Sequence, residues 1–152
     1  MTTTTTTMAQ LPALKGSRLG LSDWVDVDQG RVNTFADATD DHQSIHVDVD
    51  RARAESPFGG PVAHGYLTLS LLIPMWSRVL TVTDARLAVN YGLNRVRFPA
   101  PVPVDSKIRL AATVTEVEQI QDGYQVTVAA VIEREGAEKP VCVAEPVFRF
   151  YR

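Results

Sequence analysis

The hydrophobic pattern of the chain changes its period near residue 84. Before that point, apolar residues recur at helical spacing over residues 29–39, behind a candidate N-cap at Asp28. Residues 66–80 are apolar on nearly every side, which predicts a helix from about His64 that is buried rather than at the surface. Pro74 lies inside this run and is expected to kink the helix.

The residues that flank and separate these two helices carry weaker patterns. Residues 24–27 alternate between apolar and polar, which predicts a short edge strand or a strap. Asp50 is a candidate cap for a helical turn that runs through Glu55, and Gly59-Gly60-Pro61 then predicts a break. The second helix is therefore reached through a polar segment and a tight turn.

Beyond residue 84 the chain alternates with the period of a β-strand. Residues 108–114 form the clearest run, and Asp122-Gly123 is a strong hairpin signal before the strand at 124–132. A last strand is predicted over residues 141–151. One buried helix followed by a long antiparallel meander predicts an α+β fold in which a curved sheet wraps around a long central helix.

Length and composition narrow the class of protein. A chain of 152 residues predicts one domain, placed at residues 11–152, and the six threonines near the start predict a disordered tail at residues 1–10. The net charge of −3 argues against a nucleic-acid partner. Cys142 has no partner for an intrachain disulfide and lies in a strand pattern, so we expect a buried, unreactive thiol.

The start of the chain lacks the basic and apolar segments of a signal peptide. The apolar run at residues 66–80 is shorter than the ~20 residues that span a bilayer. We therefore expect a cytoplasmic protein with no membrane partner.

Candidate chemistry is concentrated in residues 41–65, which contain all three histidines and lead directly into the buried helix. Residues five apart on one helix lie about 140° apart around its axis, so Asp41 and His46 converge only if the chain turns between them. If they converge, they can hold a water molecule. The N-terminus of the next helix, near Gly65, could then bind a carbonyl oxygen.

Three blocks of sequence carry a family resemblance. Residues 35–48, FADATDDHQSIHVD, resemble the hydratase signature of the MaoC-like dehydratases, the (R)-specific enoyl-CoA hydratases. Residues 61–65, PVAHG, resemble the start of that family's central helix, and residues 95–102, RVRFPAPV, resemble its strand-end block. The likeness covers most of residues 22–151 and is closest to the short, single-domain actinobacterial (3R)-hydroxyacyl-CoA dehydratases.

The resemblance implies a hot dog fold, a homodimer, and a reaction that needs no metal or organic cofactor. It implies reversible hydration of a trans-2-enoyl thioester, carried by coenzyme A or by acyl carrier protein, to the (3R)-3-hydroxyacyl form. Asp41 and His46 correspond to the catalytic pair, and Gly65 to the residue whose backbone N–H faces the thioester carbonyl. Periodicity alone does not distinguish Asp41 from Asp37 or Asp40.

The chain departs from the family pattern at two places. Gln43-Ser44 replaces the usual Asn-Pro, and Asp40 replaces the usual glycine before the catalytic aspartate. The further candidates for substrate binding are polar: Gln43, Asn90, Tyr91, Asn94, Arg95 and Arg97. Arg95, Arg97 and Lys107 could meet coenzyme A phosphates or form a solvated face. The asparagines and Tyr91 could line the pocket or a dimer contact.

Alternatives remain open from the residues alone. His42 and His46 would be two zinc ligands if their stretch were helical, and His64 is more typical of a structural histidine hydrogen-bonded at the turn. A hot dog thioesterase is a rival function, but one large group of these places a carboxylate on the central helix, where residues 56–83 contain no Asp or Glu. A non-catalytic acyl-CoA-binding subunit is the second rival, although it would not need the Asp/His pair.

Overall fold

Residues 3–152 are described in the computed structural model, and they form eight strands. The strands are β1 (Thr4–Thr6), β2 (Arg18–Leu21), β3 (Val25–Val27), β4 (Leu80–Val82), β5 (Leu87–Arg97), β6 (Ser106–Ile120), β7 (Gly123–Arg134) and β8 (Cys142–Tyr151). Six of them make one antiparallel sheet in the order β2-β6-β7-β8-β5, with β3 also paired to β6. The hairpin predicted at Asp122-Gly123 joins β6 to β7, and Asp122 there has a positive φ of 62°.

The helices follow the predicted pattern with one difference in capping. After a 3-10 helix at Met8–Leu14 come α1 (Gln29–Thr39), α2 (Ser44–Val47), α3 (Val49–Glu55) and α4 (Gly65–Val79). The bounds of α1 and its Asp28 cap are confirmed, because the Arg31 N–H donates to Asp28 Oδ1 at 2.8 Å. The cap of α3 is Asp48 rather than the predicted Asp50, which lies inside the first turn of the helix.

Helix α4 lies against the sheet and supplies much of the core. Its buried residues recur every three or four positions: Leu67, Thr68, Leu71, Leu72, Met75, Trp76 and Val79. They meet the alternate, inward-facing residues of β6, which are Ile108, Leu110, Ala112 and Val114. Pro74 lies within the helix on its exposed side. This arrangement confirms an α+β fold of the hot dog type, with an antiparallel sheet around a central helix.

The sequence also led to expectations for the Cys142 thiol and for the length of the apolar helix. Cys142 is fully buried in β8, and burial raises the pKa of its thiol to about 11, which confirms a buried thiol that is poorly nucleophilic at neutral pH. Among residues 3–152, no helix is long and apolar enough to cross a membrane.

The predicted meander is wrong at its first strand. Only β6, β7 and β8 form a meander, whereas β5 pairs with β8 at the far edge of the sheet. The eight residues between β5 and β6 include three prolines and are longer than a hairpin loop. They run past the start of α4, where the Ala63 N–H donates to the Val102 carbonyl at 2.8 Å. Strand β5 therefore approaches the N-terminus of the central helix.

The predicted disordered tail is also wrong for the described residues 3–10. Strand β1 pairs in parallel with β4, directly after the end of α4. The Met8 N–H donates to Asp84 Oδ1 at 2.7 Å, and the Met8 side chain is only 2% exposed. Threonine is β-branched and suits a strand, and the free edge of β4 supplies the partner that the sequence alone does not reveal. The start of the chain therefore secures the C-terminal end of α4.

We predict that Met8→Ala lowers the free energy of unfolding by about 2–5 kcal/mol, because it removes a buried side chain from the core. Gln10→Ala is the matched control, since Gln10 is exposed in the same segment, and it should stay within about 0.5 kcal/mol of the wild type. Urea denaturation followed by circular dichroism measures both. Equal stability of the two variants would show that this segment does not pack on the core.

Candidate active site

The site begins with a sharp turn at the end of α1. Helix α1 stops at Thr39, and Asp40 adopts a left-handed conformation with φ 59° and ψ 25°. Helix α2 starts only at Ser44, so the turn that the sequence required between Asp41 and His46 is present. Aspartate is one of the few non-glycine residues that tolerate this conformation. A chain without glycine at position 40 can therefore still make the turn.

The turn brings three functional groups together. A carboxylate oxygen of Asp41 and ring nitrogens of His46 and His64 all lie within 4.8 Å of one another. One water molecule with hydrogen bonds of about 2.8 Å bridges two atoms roughly 4.6 Å apart at a tetrahedral angle. Asp41 is exposed, whereas His46 is 7% and His64 3% exposed. The group therefore has the spacing to hold one water between a solvated carboxylate and a buried ring.

His46 is fixed by a hydrogen bond to the segment that leads into α4. Its Nδ1–H donates to the Val62 carbonyl at 2.6 Å, so Nε2 is the nitrogen of the neutral ring that can accept a proton. Burial is the main reason that the pKa of His46 lies below its ordinary value of 6.5. The Val62 bond and the Asp41 charge oppose this shift, and His64 adds to it. The ring is therefore neutral at pH 7.

His64 is also hydrogen-bonded at the turn, as expected for a structural histidine. Its Nε2–H donates to the Asp41 carbonyl at 3.0 Å. Its ring stacks on that of His46, with centroids 3.8 Å apart and planes 23° apart. The sequence did not indicate this contact with His46, because the two residues are separated by α3 and the glycine turn.

Gly65 is the first residue of α4 and lies at a close approach of the chain to itself. A Cβ atom at this position would lie 3.1 Å from the Phe98 ring, so the packing of Phe98 favours glycine. The first N–H groups of a helix have no intrahelical acceptor, and the helix dipole places partial positive charge there. This end of α4 can therefore bind an oxygen atom that carries negative charge.

A cavity of about 330 Å³ joins His46 to the start of α4. Its lining is mainly apolar and comprises Ile45, His46, Phe58, Val62, Ala63, Gly65, Thr68, Phe98, Pro99, Ala100, Pro101, Val102 and Val141. Phe58 and Phe98 are exposed aromatics that sequence reasoning missed. The signal for Phe98 was its place within the strand-end block, but period-two patterns do not show which loop covers a helix.

The structure does not bring His42 and His46 together as a zinc pair. His42 precedes α2, is exposed, and contacts Asp37 Oδ1 through Nε2 at 2.9 Å. The possible ligand set is instead Asp41, His46 and His64. His46 Nδ1 and His64 Nε2 each donate to a backbone carbonyl, which leaves one ring nitrogen on each histidine, and the two rings stack with centroids 3.8 Å apart. Because the lone pair of a ring nitrogen lies in the imidazole plane, face-to-face stacking disfavours a metal shared by both rings.

The other predicted binding residues lie away from this cavity within the chain. Five of them are exposed on β5: Asn90, Tyr91, Asn94, Arg95 and Arg97. Asn94 donates to Glu145 Oε1, and the Arg149 guanidinium lies 3.5 Å from the centroid of the Tyr91 ring. Gln43 is exposed beside the pair, where its N–H donates to Asp41 Oδ1 at 3.4 Å. Their roles in substrate binding stay predictions.

Comparison with known proteins identifies the family of this chain. The family model described as "MaoC like domain" matches residues 11–136. The chain is 51% identical over 144 residues to the 3-hydroxyacyl-thioester dehydratase Z of Mycobacterium tuberculosis, covering 94% of this chain and 95% of that protein.

Solved structures share the fold at lower identity. The monoamine oxidase regulatory protein from Archaeoglobus fulgius matches with a TM-score of 0.81 at 23% identity, over 100% of this chain and 99% of that one. An (R)-hydratase from A. caviae involved in PHA biosynthesis matches with a TM-score of 0.72 at 20% identity, over 88% of this chain and 94% of that one.

We predict that Asp40→Gly leaves the protein about 1–2 kcal/mol more stable than Asp40→Val, because a β-branched residue is strained in the left-handed conformation. Asp37, an exposed residue inside α1, is the matched control. There the order should be reversed, since glycine is the weaker helix former. Urea unfolding of the four variants tests this, and the same order at both positions would exclude the left-handed turn at Asp40.

Proposed function

The chain belongs to the MaoC-like domain family, and on that premise we propose that it catalyses the reversible syn hydration of a trans-2-enoyl thioester to a (3R)-3-hydroxyacyl thioester. The observation that carries the proposal is the approach of the Asp41 carboxylate to the His46 ring, within 4.8 Å, beside a cavity lined by Gly65 at the start of α4. The similar proteins include a 3-hydroxyacyl-thioester dehydratase and an (R)-hydratase, whose names support the reaction class and the stereochemistry.

Water addition to the alkene needs a base because water is a poor nucleophile. His46 is suited to this role: its Nδ1–H is held by the Val62 carbonyl, so Nε2 accepts the proton as the oxygen attacks C3. The Asp41 carboxylate accepts a hydrogen bond from the second O–H of the water and orients it, and this hydrogen stays on the new hydroxyl group. The proton taken up by His46 then passes to C2 from the same face, because both groups lie on one side of the bound alkene. The addition is therefore syn, and in the reverse direction the same groups remove water.

Negative charge builds on the thioester oxygen when water attacks. The backbone N–H at Gly65 and the positive end of the α4 dipole can stabilise that charge. Loss of one such donor raises a barrier by about 2.7–4 kcal/mol in other enzymes. Glycine at position 65 lets the Phe98 ring pack against the start of α4, and both residues line the cavity in which we place the thioester.

The thioesterase alternative requires a different arrangement on the central helix. The group of hot dog thioesterases with a carboxylate on that helix has no counterpart here, because α4 contains no Asp or Glu. The two reactions also differ in product, since a thioesterase releases a free thiol and leaves the alkene intact. We propose acyl-CoA as the substrate, with an acyl carrier protein thioester as the alternative carrier.

We predict that the wild-type protein hydrates a short trans-2-enoyl-CoA, and that Asp41→Asn and His46→Gln each lower kcat by about 10²–10⁴-fold through loss of acid–base catalysis. Loss of enoyl thioester absorbance measures the reaction, and a thiol reagent detects hydrolysis. Asp40→Asn is the matched control, because it neutralises the adjacent carboxylate and tolerates the same turn.

Three outcomes would contradict this assignment. Equal rates for all variants would show that Asp41 and His46 are not catalytic. Release of thiol by the wild type would favour the thioesterase function. Activity should also survive treatment with a chelator. If it does not, Asp41, His46 and His64 hold a required cation.

Strand β5 is the surface that we propose for homodimer formation. It lies at the edge of the six-stranded sheet, pairs within residues 3–152 with β8 alone, and exposes apolar side chains that include Tyr91 at 57% and Leu93 at 45%. Long exposed edges with apolar residues pair readily with another strand. The last residues of β5 lead directly to Phe98 at the cavity, so a second copy paired there would bring its own Arg95 and Arg97 near a site.

We predict that the wild type sediments at twice the chain mass of 16.7 kDa. Leu93→Glu should shift it toward the monomer, because symmetric pairing places like charges close together. Gln119→Glu adds the same charge at an exposed position of β6 and should leave the dimer intact. Analytical ultracentrifugation distinguishes these outcomes, and a monomeric wild type would exclude the dimer.

A further inference from the structure

His64 lies at the N-terminus of α4, but its side chain does not cap the helix. It is the N-cap residue of α4, a position that favours Ser, Thr, Asp or Asn, and its side chain makes no capping hydrogen bond. Its backbone carbonyl alone serves the helix, accepting from the Leu67 and Thr68 N–H groups. The imidazole reaches instead to Asp41, 23 residues earlier in the chain.

The two contacts of the His64 ring fall on the two members of the proposed catalytic pair. The Nε2–H donates to the backbone carbonyl of Asp41 at 3.0 Å, which fixes the turn that carries the carboxylate. The ring face stacks on His46 with centroids 3.8 Å apart. Phe35 of α1 packs against His64 at 4.8 Å between ring centroids, so the ring is held by a third element.

The hydrogen bonding of His64 also suits a positioning role. Because a carbonyl only accepts, Nε2 is the protonated nitrogen, and Nδ1 is buried without a hydrogen-bond partner among residues 3–152. A buried polar atom without a partner is unusual in a residue that serves stability alone. A leucine or phenylalanine would fill the same space without this cost.

We propose that His64 is a positioning residue of the active site: its Nε2–H holds the Asp41 backbone and its ring face holds the His46 imidazole, which sets the distance between the two groups that share the water. This inference rests on the hydratase function proposed above and adds a third residue to it. His64 does not line the cavity, so it acts through Asp41 and His46 and not by contact with the substrate.

Two variants separate the two contacts. His64→Phe keeps a ring that can stack but loses the N–H donor, whereas His64→Gln keeps an N–H near the Nε2 position and loses the stacked ring. A displacement of about 1 Å can cost on the order of 10²-fold in rate. We expect His64→Phe to lower kcat by about 30–100-fold with KM within about twofold, and His64→Gln to recover most of that loss.

The pH profile supplies a readout that a purely structural role would not move. The titratable groups that face His46 are Asp41, from the loop after α1, and His64, from the start of α4. His64 contributes to the lowered pKa of His46, so His64→Gln should shift the acidic limb of kcat/KM to higher pH. The wild-type limb should lie below pH 6.5, because activity requires neutral His46.

The experiment measures hydration of a short trans-2-enoyl-CoA by the full-length wild type, both His64 variants and His42→Phe. His42 is an exposed histidine bonded to Asp37, and its variant should stay within about twofold of the wild type. If the wild type is inactive, the proposed function itself fails. If the wild type is active and His64→Phe matches His42→Phe, only the role of His64 is overturned.

Two further results would also overturn the positioning role. One is an equal loss in His64→Gln and His64→Phe with an unmoved acidic limb, which would indicate a packing role alone. The other is a rise in KM with unchanged kcat, which would place His64 in contact with the substrate. If His64→Phe fails to fold, the kcat, KM and pH profile of His64→Gln decide the question.

Discussion

The hydrogen bond from the His46 ring to the Val62 carbonyl is the interaction on which the site depends. It joins the polar stretch after α1 to the segment that starts α4, so the ring and the helix N-terminus have one fixed relation. It is backed by a backbone bond in the opposite direction, from the Val62 N–H to the Ile45 carbonyl at 2.9 Å. With Nδ1 committed to Val62, Nε2 remains the basic nitrogen. The same contact therefore sets position and chemical role together.

The central constraint on Asp41 is different, because its carboxylate is exposed and is held through its backbone. The left-handed Asp40 ends α1, and the His64 ring holds the Asp41 carbonyl by a hydrogen bond. The backbone before and at Asp41 is therefore fixed, and this sets the direction of the carboxylate. Burial of His46 lowers its pKa, while the Asp41 carboxylate is exposed to solvent. A neutral imidazole is the state of the base that water activation requires at pH 7.

The sequence predicts most helices and strands because each type has its own hydrophobic period. It does not predict the segments whose structure depends on pairing with a distant part of the chain. The bounds of α1, its Asp28 cap and the buried α4 followed from local pattern. Residues 4–6 form a strand because β4 offers them an edge to pair with. Strand β5 lies beside β8 because a proline-rich connection leads from it past the start of α4. The cap of α3 is Asp48 and not the predicted Asp50, and periodicity does not resolve a difference of two residues.

The same distinction applies to the site. Asp41, His46 and Gly65 were identified by resemblance, whereas His64 and Phe98 take their roles from contacts made across the fold. One consequence links the site to assembly. Phe98 packs over Gly65 and directly follows β5, the exposed edge strand. A strand added to that edge would therefore lie next to the cavity. Electrostatic interactions strengthen when water is excluded, so the proposed pairing along β5 and the proposed chemistry at the cavity would reinforce each other.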